Sequence, residues 1–136
     1  MYLSSLSFSR DSRRILTGGG DGLAVLWDTE TLAKLREFRG NAGQAINGAD
    51  LAPDGSRVVT CNSVGDWQIW DSNTGVELTK IRVSNYGLRS VTFTSDGMKL
   101  VTTGDDGLLR TWTGLDHDPT IKIPVPPKNQ KDISFK

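Results

Sequence analysis

The chain has 136 residues, a length that suits one domain with a single modest core. Its 16 lysines and arginines balance 16 aspartates and glutamates, so the formal net charge is zero. The chain has no run of basic residues that would indicate nucleic-acid binding, so we expect no nucleic-acid partner. No apolar stretch approaches the roughly 20 residues of a membrane-spanning helix, and the first residues lack the pattern of a signal peptide, so we expect no membrane partner.

Short runs of β-branched and aromatic residues, separated by glycine- or aspartate-containing turns, follow one another through the chain. This pattern predicts strands rather than helices. The predicted strands are residues 3–8, 13–17, 23–27 and 33–38, then 46–51, 57–61, 67–70 and 76–81, then 88–93, 99–103, 108–112 and 120–123. In residues 31–39, Leu32, Leu35 and Phe38 recur at helical spacing, but a strand lies just before them and Gly40 follows. We therefore expect a strand there too.

An internal repeat relates three tryptophans that are 43 and 42 residues apart, Trp27, Trp70 and Trp112. The same offsets relate three threonines, Thr17, Thr60 and Thr102. A period of about 40 to 45 residues with four short strands is typical of a β-propeller blade. The sequence predicts an all-β fold of three four-stranded antiparallel blades, at about residues 1–40, 41–82 and 83–123, and a proline-rich extended tail at 124–136.

The stretches Leu26-Trp27-Asp28 and Ile69-Trp70-Asp71 resemble the WD dipeptides of the WD40-repeat family, and the resemblance covers about residues 3–123. It implies a hydrogen-bonded set of a loop histidine, a turn aspartate, a second-strand hydroxyl and a third-strand tryptophan in each blade. The threonines and tryptophans of the repeat take two of these places, and Asp21 and Asp106 match the turn aspartate. Val64 stands there in the middle repeat, and no repeat has the histidine. Because one hydrogen bond contributes about 1 kcal/mol, we expect looser blades but the same fold.

Three blades cannot close a ring, since closed propellers contain about 4 to 8. An isolated arc would expose one apolar face at each end. The sequence leaves open whether a second copy or another chain completes the ring, or whether the arc belongs to a longer polypeptide. A six-bladed dimer about the propeller axis is the simplest homomeric arrangement.

The inventory of reactive side chains argues against an enzyme. His117 is the only histidine, which excludes a multi-histidine metal site, and it reads as a solvated loop residue. Cys61, the only cysteine, is expected in the core and suits the cytoplasm. The glycine run at residues 18–22 lacks the Lys-Ser/Thr ending of a phosphate loop, and Asp105-Asp106-Gly107 lacks further calcium ligands. We expect no catalytic residue, cofactor or metal.

The expected function is a non-catalytic scaffold that binds a protein or peptide. The family resemblance implies docking at the narrow mouth of the propeller, where the residues of this chain are Asn47, Ser63, Arg89 and Asp105. Trp67 is favoured as a core residue, with a partly exposed partner contact as the alternative. Two other functions stay open: an assembly subunit that completes a propeller with itself or another chain, and the sensor or regulatory repeats of a longer enzyme or regulator.

Overall fold

The computed structural model describes residues 2–40, 43–113 and, for the backbone, 133–134, which form three antiparallel sheets. Blade 1 contains β1 (Leu3–Phe8), β2 (Arg14–Gly19), β3 (Leu23–Asp28) and β4 (Lys34–Arg39). Blade 2 contains β5 (Ile46–Leu51), β6 (Arg57–Asn62), β7 (Asp66–Asp71) and β8 (Glu77–Arg82). Blade 3 contains β9 (Leu88–Phe93), β10 (Leu100–Gly104), β11 (Leu108–Trp112) and the two-residue β12 (Ile133–Ser134). No helix occurs in the described residues, and the predicted all-β fold of three four-stranded blades is confirmed.

The segment with helical spacing is the outer strand of blade 1. β4 pairs antiparallel with β3, and Phe38 lies opposite Ala24. Leu35 and Phe38 are an odd number of residues apart, which puts their side chains on opposite faces of a strand. Phe38 is accordingly buried and Leu35 is exposed.

The outer strand of blade 3 differs from the sequence prediction. Ile133–Ser134 pairs with Leu108 and Leu109 on β11, whereas the repeat period placed this strand at residues 120–123 and assigned 124–136 to a tail. A strand position of this kind requires only backbone pairing, so a later segment can fill it after a longer connection. Residues 120–123, the rest of the predicted tail and His117 lie outside the described residues.

The apolar core consists of two clusters that lie between blades. The first joins blade 1 to blade 2 through Leu16, Ala24, Leu26 and Phe38 on one side and Ile46, Ala49, Leu51, Val58 and Trp70 on the other. The second joins blade 2 to blade 3 through Val59, Cys61, Trp67 and Ile69 on one side and Leu88, Val91, Phe93, Leu100 and Trp112 on the other. Equivalent positions of the repeat occur in both clusters, so blade 2 packs on blade 1 in the same way as blade 3 packs on blade 2.

Within every blade, the third-strand tryptophan is tied to the second strand. The indole N–H groups of Trp27, Trp70 and Trp112 donate to the hydroxyls of Thr17, Thr60 and Thr102 over 2.9, 3.1 and 3.1 Å. The aspartate after the tryptophan caps the following turn: Asp28 accepts from the N–H groups of Glu30 and Thr31, and Asp71 from those of Asn73 and Thr74. Thr113 takes this place in blade 3 and has no carboxylate with which to form such a cap.

The inner strands β1, β5 and β9 lie side by side around the axis of the arc. The Asp50 carboxylate of β5 accepts hydrogen bonds from the Ser7 hydroxyl at 2.8 Å and the Thr92 hydroxyl at 3.0 Å. These three residues occupy equivalent positions of the repeat. Just beyond the same end of these strands, the Arg10 guanidinium donates to the Ser95 carbonyl over 2.7 Å. Polar contacts therefore span all three blades along the axis.

Candidate partner-binding surface

One end of the inner strands gathers the polar residues that the sequence analysis assigned to partner binding. We call this end the mouth surface, and it consists of Tyr2, Asn47, Ser63, Tyr86, Arg89 and Asp105. The same backbone hydrogen bond builds it in each blade, because the turn before the third strand donates an N–H to the residue that precedes the inner strand. The three bonds are Gly20 to Tyr2, Ser63 to Ala45 and Asp105 to Gly87, over 2.9, 3.0 and 2.8 Å.

An exposed ion pair lies on the mouth surface of blade 3. The Arg89 Nε donates to Asp105 Oδ1 over 2.5 Å. This hydrogen bond and the charge of Asp105 raise the pKa of Arg89 above its usual value, and the Tyr2 phenol adds a smaller contribution. Since water surrounds both partners, the pair contributes little to stability.

Asn47 and Ser63 have different surroundings at the mouth. The Asn47 side-chain amide donates to the Leu88 carbonyl over 2.7 Å and so ties blade 2 to blade 3. Ser63 is exposed in the turn between β6 and β7. Asn47 therefore serves the joint between blades, whereas the Ser63 side chain faces solvent.

Trp67 does not belong to the mouth surface. Its side chain is 0% exposed and meets the Trp112 ring edge to face, with centroids 5.5 Å apart. A partner cannot reach a buried ring, so the partner contact considered for Trp67 in the sequence analysis is corrected to a place in the core between blades. In the joint between blades 1 and 2 the equivalent residue is Ala24, and Phe38, its cross-strand neighbour, supplies the ring that meets Trp70.

Two exposed tyrosines at the mouth were missed by the sequence analysis. Tyr2 is 59% and Tyr86 is 61% exposed. The Tyr2 ring lies against Gly20, where an added Cβ would be 2.6 Å from the ring. The loop that carries Tyr86 packs on Gly65, where a Cβ would be 2.2 Å from the Ser84 carbonyl oxygen. A tyrosine just before an inner strand or in the loop leading to one is the sequence signal that points to them.

Comparison with known proteins identifies the repeat. The family model "WD domain, G-beta repeat" matches residues 2–28 and 75–113, which lie mainly in blades 1 and 3. The chain belongs to the WD40-repeat family.

Several known proteins are similar to this chain at 23 to 44% identity. The pre-mRNA-splicing factor cwf17 of Schizosaccharomyces pombe is 30% identical over 81% of this chain and 32% of its own length. Guanine nucleotide-binding protein subunit beta-5b of Danio rerio is 44% identical over 38% of this chain and 13% of its own. Protein groucho of Drosophila melanogaster is 23% identical over 82% of this chain and 15% of its own. The chain therefore spans a third or less of the length of these relatives.

A buried carboxylate, Asp66, lies against two basic side chains of β8 in this WD40 chain. Asp66 is 1% exposed, accepts hydrogen bonds from the Arg82 guanidinium, and lies 3.7 Å from the Lys80 ammonium. Burial alone raises the Asp66 pKa, but hydrogen bonds from Arg82 and Asn62 and the two positive charges outweigh it and hold the pKa below its usual value. Leucines, Leu23 and Leu108, stand at this position in the other two blades.

The turn aspartate that blade 2 lacks is replaced by an amide two residues earlier. Asp21 accepts the N–H of Leu23, and the Asn62 side-chain oxygen accepts the equivalent N–H, that of Asp66, over 3.0 Å. In blade 1 the Asn62 position is Gly19, where a Cβ would be 2.8 Å from Asp21 Oδ1. In each of these two turns one side-chain oxygen accepts the N–H at the start of the third strand. Asp21 supplies that oxygen in blade 1 and Asn62 supplies it in blade 2.

The reactive groups of this WD40 chain are engaged in packing and ion pairs. Burial raises the pKa of the Cys61 thiol to about 12. In the glycine run at residues 18–22, Gly18 lets the Ile46 side chain approach closely. In the Asp105-Asp106-Gly107 turn, Asp105 pairs with Arg89, and Asp106 pairs with Arg110 over 2.9 Å. In residues 2–40 and 43–113, no three potential metal-binding side chains form a group. No helix in this part of the chain is long and apolar enough to cross a membrane.

Proposed function

We propose that this WD40 chain is a non-catalytic interaction scaffold that binds a protein or peptide across the mouth surface. The observation that carries the proposal is the pair of exposed tyrosines, Tyr2 and Tyr86, beside the exposed Arg89–Asp105 ion pair. The Tyr2 ring packs against Gly20, and the backbone of the loop that carries Tyr86 packs on Gly65, so little backbone ordering is needed when a partner covers the two tyrosines. Tyrosine and arginine are also the residue types that contribute most at interfaces.

The chemistry of the mouth favours a partner segment with apolar and acidic groups. The tyrosine rings offer flat apolar contact with a polar hydroxyl at the tip. Arg89 exchanges its bond to Asp105 for a bond to a carboxylate of the partner, and Ser63 provides a further hydrogen-bonding group. We propose neither nucleic acid nor membrane as a partner, since the net charge is zero and the mouth carries no basic cluster.

The relatives support a scaffold rather than an enzyme. They are named as a splicing factor, a subunit of a guanine nucleotide-binding protein and groucho, and WD40 repeats in such proteins commonly mediate protein interaction. We propose a cytoplasmic location, with the nucleus as the alternative that the name of the splicing factor favours. We also propose that the blades are divided near residues 40 and 82. We propose further blades as partners at the two ends of the arc.

Peptide selection tests the mouth directly. Random peptides displayed on phage are selected on the wild-type chain, and their affinities are then measured for Tyr2→Ala, Tyr86→Ala and Arg89→Ala. We expect each substitution to weaken binding at least about tenfold. Val76→Ala is the matched control, since Val76 is equally exposed but lies at the opposite end of blade 2. Peptides that bind all three mouth variants as tightly as the wild type would refute the proposal.

A further inference from the structure

The end of the inner strands opposite the mouth surface carries a groove that runs over the turns of all three blades. These turns join the first and second strands and are residues 9–13, 52–56 and 94–99. Two adjoining cavities of about 240 and 360 Å³ form the groove, and both are lined by Arg10, Pro53 and Asp54. We call it the turn groove. It lies over the two joints within the arc and not on either end face.

Two arginines of blade 1 reach over blade 2 at the turn groove. The Arg10 guanidinium donates to the Ser95 carbonyl of blade 3 over 2.7 Å. The Arg14 guanidinium lies on Gly55 of blade 2, where an added Cβ would overlap it. A guanidinium has five N–H donors, so Arg10 keeps donors for a further acceptor after its bond to Ser95.

The three aspartates of the turn groove are engaged by their own turns. They occupy equivalent positions, and Oδ1 of each accepts the N–H two residues later: Asp11 from Arg13, Asp54 from Ser56 and Asp96 from Met98. A hydroxyl of the same turn donates to the same oxygen in all three blades. The carboxylates therefore cap turns, whereas the two guanidiniums lie across the joints.

Apolar surface lies at the blade 3 end of the turn groove. The Pro53 ring packs on Gly97, with its Cδ 3.3 Å from the position of an added Cβ. Met98 follows Gly97 and is 51% exposed. The equivalents of Met98 in the other blades are polar, Arg13 and Ser56. An occupant of the groove thus meets positive charge over blade 2 and an apolar side chain at blade 3.

We propose that the turn groove binds an extended acidic segment of a partner protein, with carboxylates on Arg10 and Arg14 and an apolar side chain beside Met98. Guanidinium and carboxylate form paired, charge-assisted hydrogen bonds, which are among the strongest in proteins. A carboxylate suits this groove better than a phosphate, because the aspartates that line it repel a second negative charge more strongly. The groove lies at the opposite end of the strands from the mouth surface, so its occupant binds independently of one at the mouth.

Fluorescence anisotropy with labelled peptides tests the turn groove. The probe is hexaglutamate followed by one leucine, and its matched control has glutamine in place of every glutamate. The glutamine peptide should bind at least about tenfold more weakly. Arg10→Ala and Arg14→Ala should each weaken binding of the probe at least about fivefold. Arg13→Ala removes the same charge from the same turn, but Arg13 lines neither cavity, so this variant should bind as the wild type does.

Two further variants complete the set. Met98→Ser should weaken binding of the probe but leave hexaglutamate without leucine unaffected. If Arg10→Ala fails to fold, Arg10→Lys keeps the charge and loses the paired donors, so it should weaken binding about threefold.

Four results would overturn the proposal. The first is a probe that does not bind the wild type. The second is an equal loss in all three arginine-to-alanine variants, which would show diffuse attraction to a basic turn. The third is a loss with Arg89→Ala, which would place the probe on the mouth surface. The fourth is tighter binding of a phosphoserine peptide of the same length, which would make phosphate the preferred group.

Discussion

The indole rings of Trp67 and Trp112 meet edge to face across the joint between blades 2 and 3, with planes at 72°. In the joint between blades 1 and 2, Phe38 meets Trp70 at 62°, with centroids 6.0 Å apart. The aromatic ring opposite the tryptophan comes from β7 in one joint and from β4 in the other. The two positions are cross-strand neighbours, since Trp67 pairs with Ile81 and Ala24 with Phe38. In blade 1 the larger residue of the pair is Phe38 on β4, and in blade 2 it is Trp67 on β7. Each of these rings fills the joint between its blade and the next one.

Replacing Trp70 by alanine should severely destabilise the arc. Its ring is buried against Phe38 and its N–H bonds to Thr60, so removing it leaves a cavity and an unpaired hydroxyl. We expect the free energy of unfolding to fall by about 3–5 kcal/mol. Urea denaturation followed by circular dichroism measures the change.

The equivalent Trp27 provides the matched control for Trp70. It keeps the bond to its threonine, but it is partly exposed and has the Lys34 ammonium 5.9 Å from its ring centroid. Trp27→Ala should cost clearly less than Trp70→Ala, because it removes less buried packing. Equal losses would show that the Trp27 ring is packed as closely in solution as the Trp70 ring.

The repeat made the fold predictable, while the residues that break the repeat made much of the site unpredictable. Offsets of 43 and 42 residues fix which strands are equivalent, and one blade then defines the others. Asp66 stands where the other blades have leucine, and the Asn62 amide replaces a carboxylate two residues away. The repeat predicts an apolar residue at Asp66 and a carboxylate in the turn of blade 2, and both predictions are wrong. A repeat relates residue types at equivalent positions, but it cannot show that an atom of a neighbouring residue takes over the same hydrogen bond. The burial of Trp67 likewise depends on its neighbours across the joint, and periodicity alone left it open.

Leu32 offers a prediction that rests on backbone strain. Its φ is +59°, a left-handed conformation, and the equivalent residue of blade 2 is Gly75 with a φ of +76°. The Leu32 side chain is exposed and loses little packing when removed. Leu32→Gly should therefore raise the free energy of unfolding by about 0.5–1 kcal/mol despite the greater freedom of glycine in the unfolded chain. Thermal unfolding would show a higher Tm.

Two further substitutions separate strain from side-chain loss in this turn. Leu32→Ala keeps the strain and should give no gain. Gly75→Ala introduces the same strain and brings a Cβ to 3.1 Å from the Arg36 Cδ, so it should destabilise by about 1 kcal/mol or more. If Leu32→Ala were as stable as Leu32→Gly, the left-handed backbone would not be the cause.

The Cys61 thiol should be unreactive in the folded chain. With a pKa of about 12, only about one part in ten thousand is thiolate at pH 8, and the side chain is buried. Labelling with a chromogenic disulfide reagent should be slow in buffer and fast in concentrated urea. Ser63→Cys adds an exposed thiol in the following turn and should label at once without urea. Native and unfolded wild type that label equally fast would contradict the buried position.

The charge on Asp66 should make the stability of the chain depend on acid pH. Its folded pKa lies below the usual 3.8, so ionised Asp66 adds stability that is complete above about pH 5 and is lost as pH falls through the folded pKa. At pH 7, Asp66→Asn should cost about 1.5–3 kcal/mol, because the bonds to Arg82 lose their charge. Asp66→Leu should cost less, since leucine is the residue of the other blades and Arg82 is free to turn into solvent.

Urea titrations at pH 7, 5, 4 and 3 measure the Asp66 effect. The difference in unfolding free energy between wild type and Asp66→Asn should shrink as pH falls, because protonation makes the two side chains alike in charge. Asp105→Asn, which breaks the exposed pair with Arg89, should change stability little at any of these pH values. A constant difference between wild type and Asp66→Asn down to pH 3 would mean that Asp66 binds protons equally in the folded and unfolded chain, and would contradict a pKa lowered by folding. A widening difference would reverse the sign of the linkage and show that Asp66 is stabilised in its neutral form.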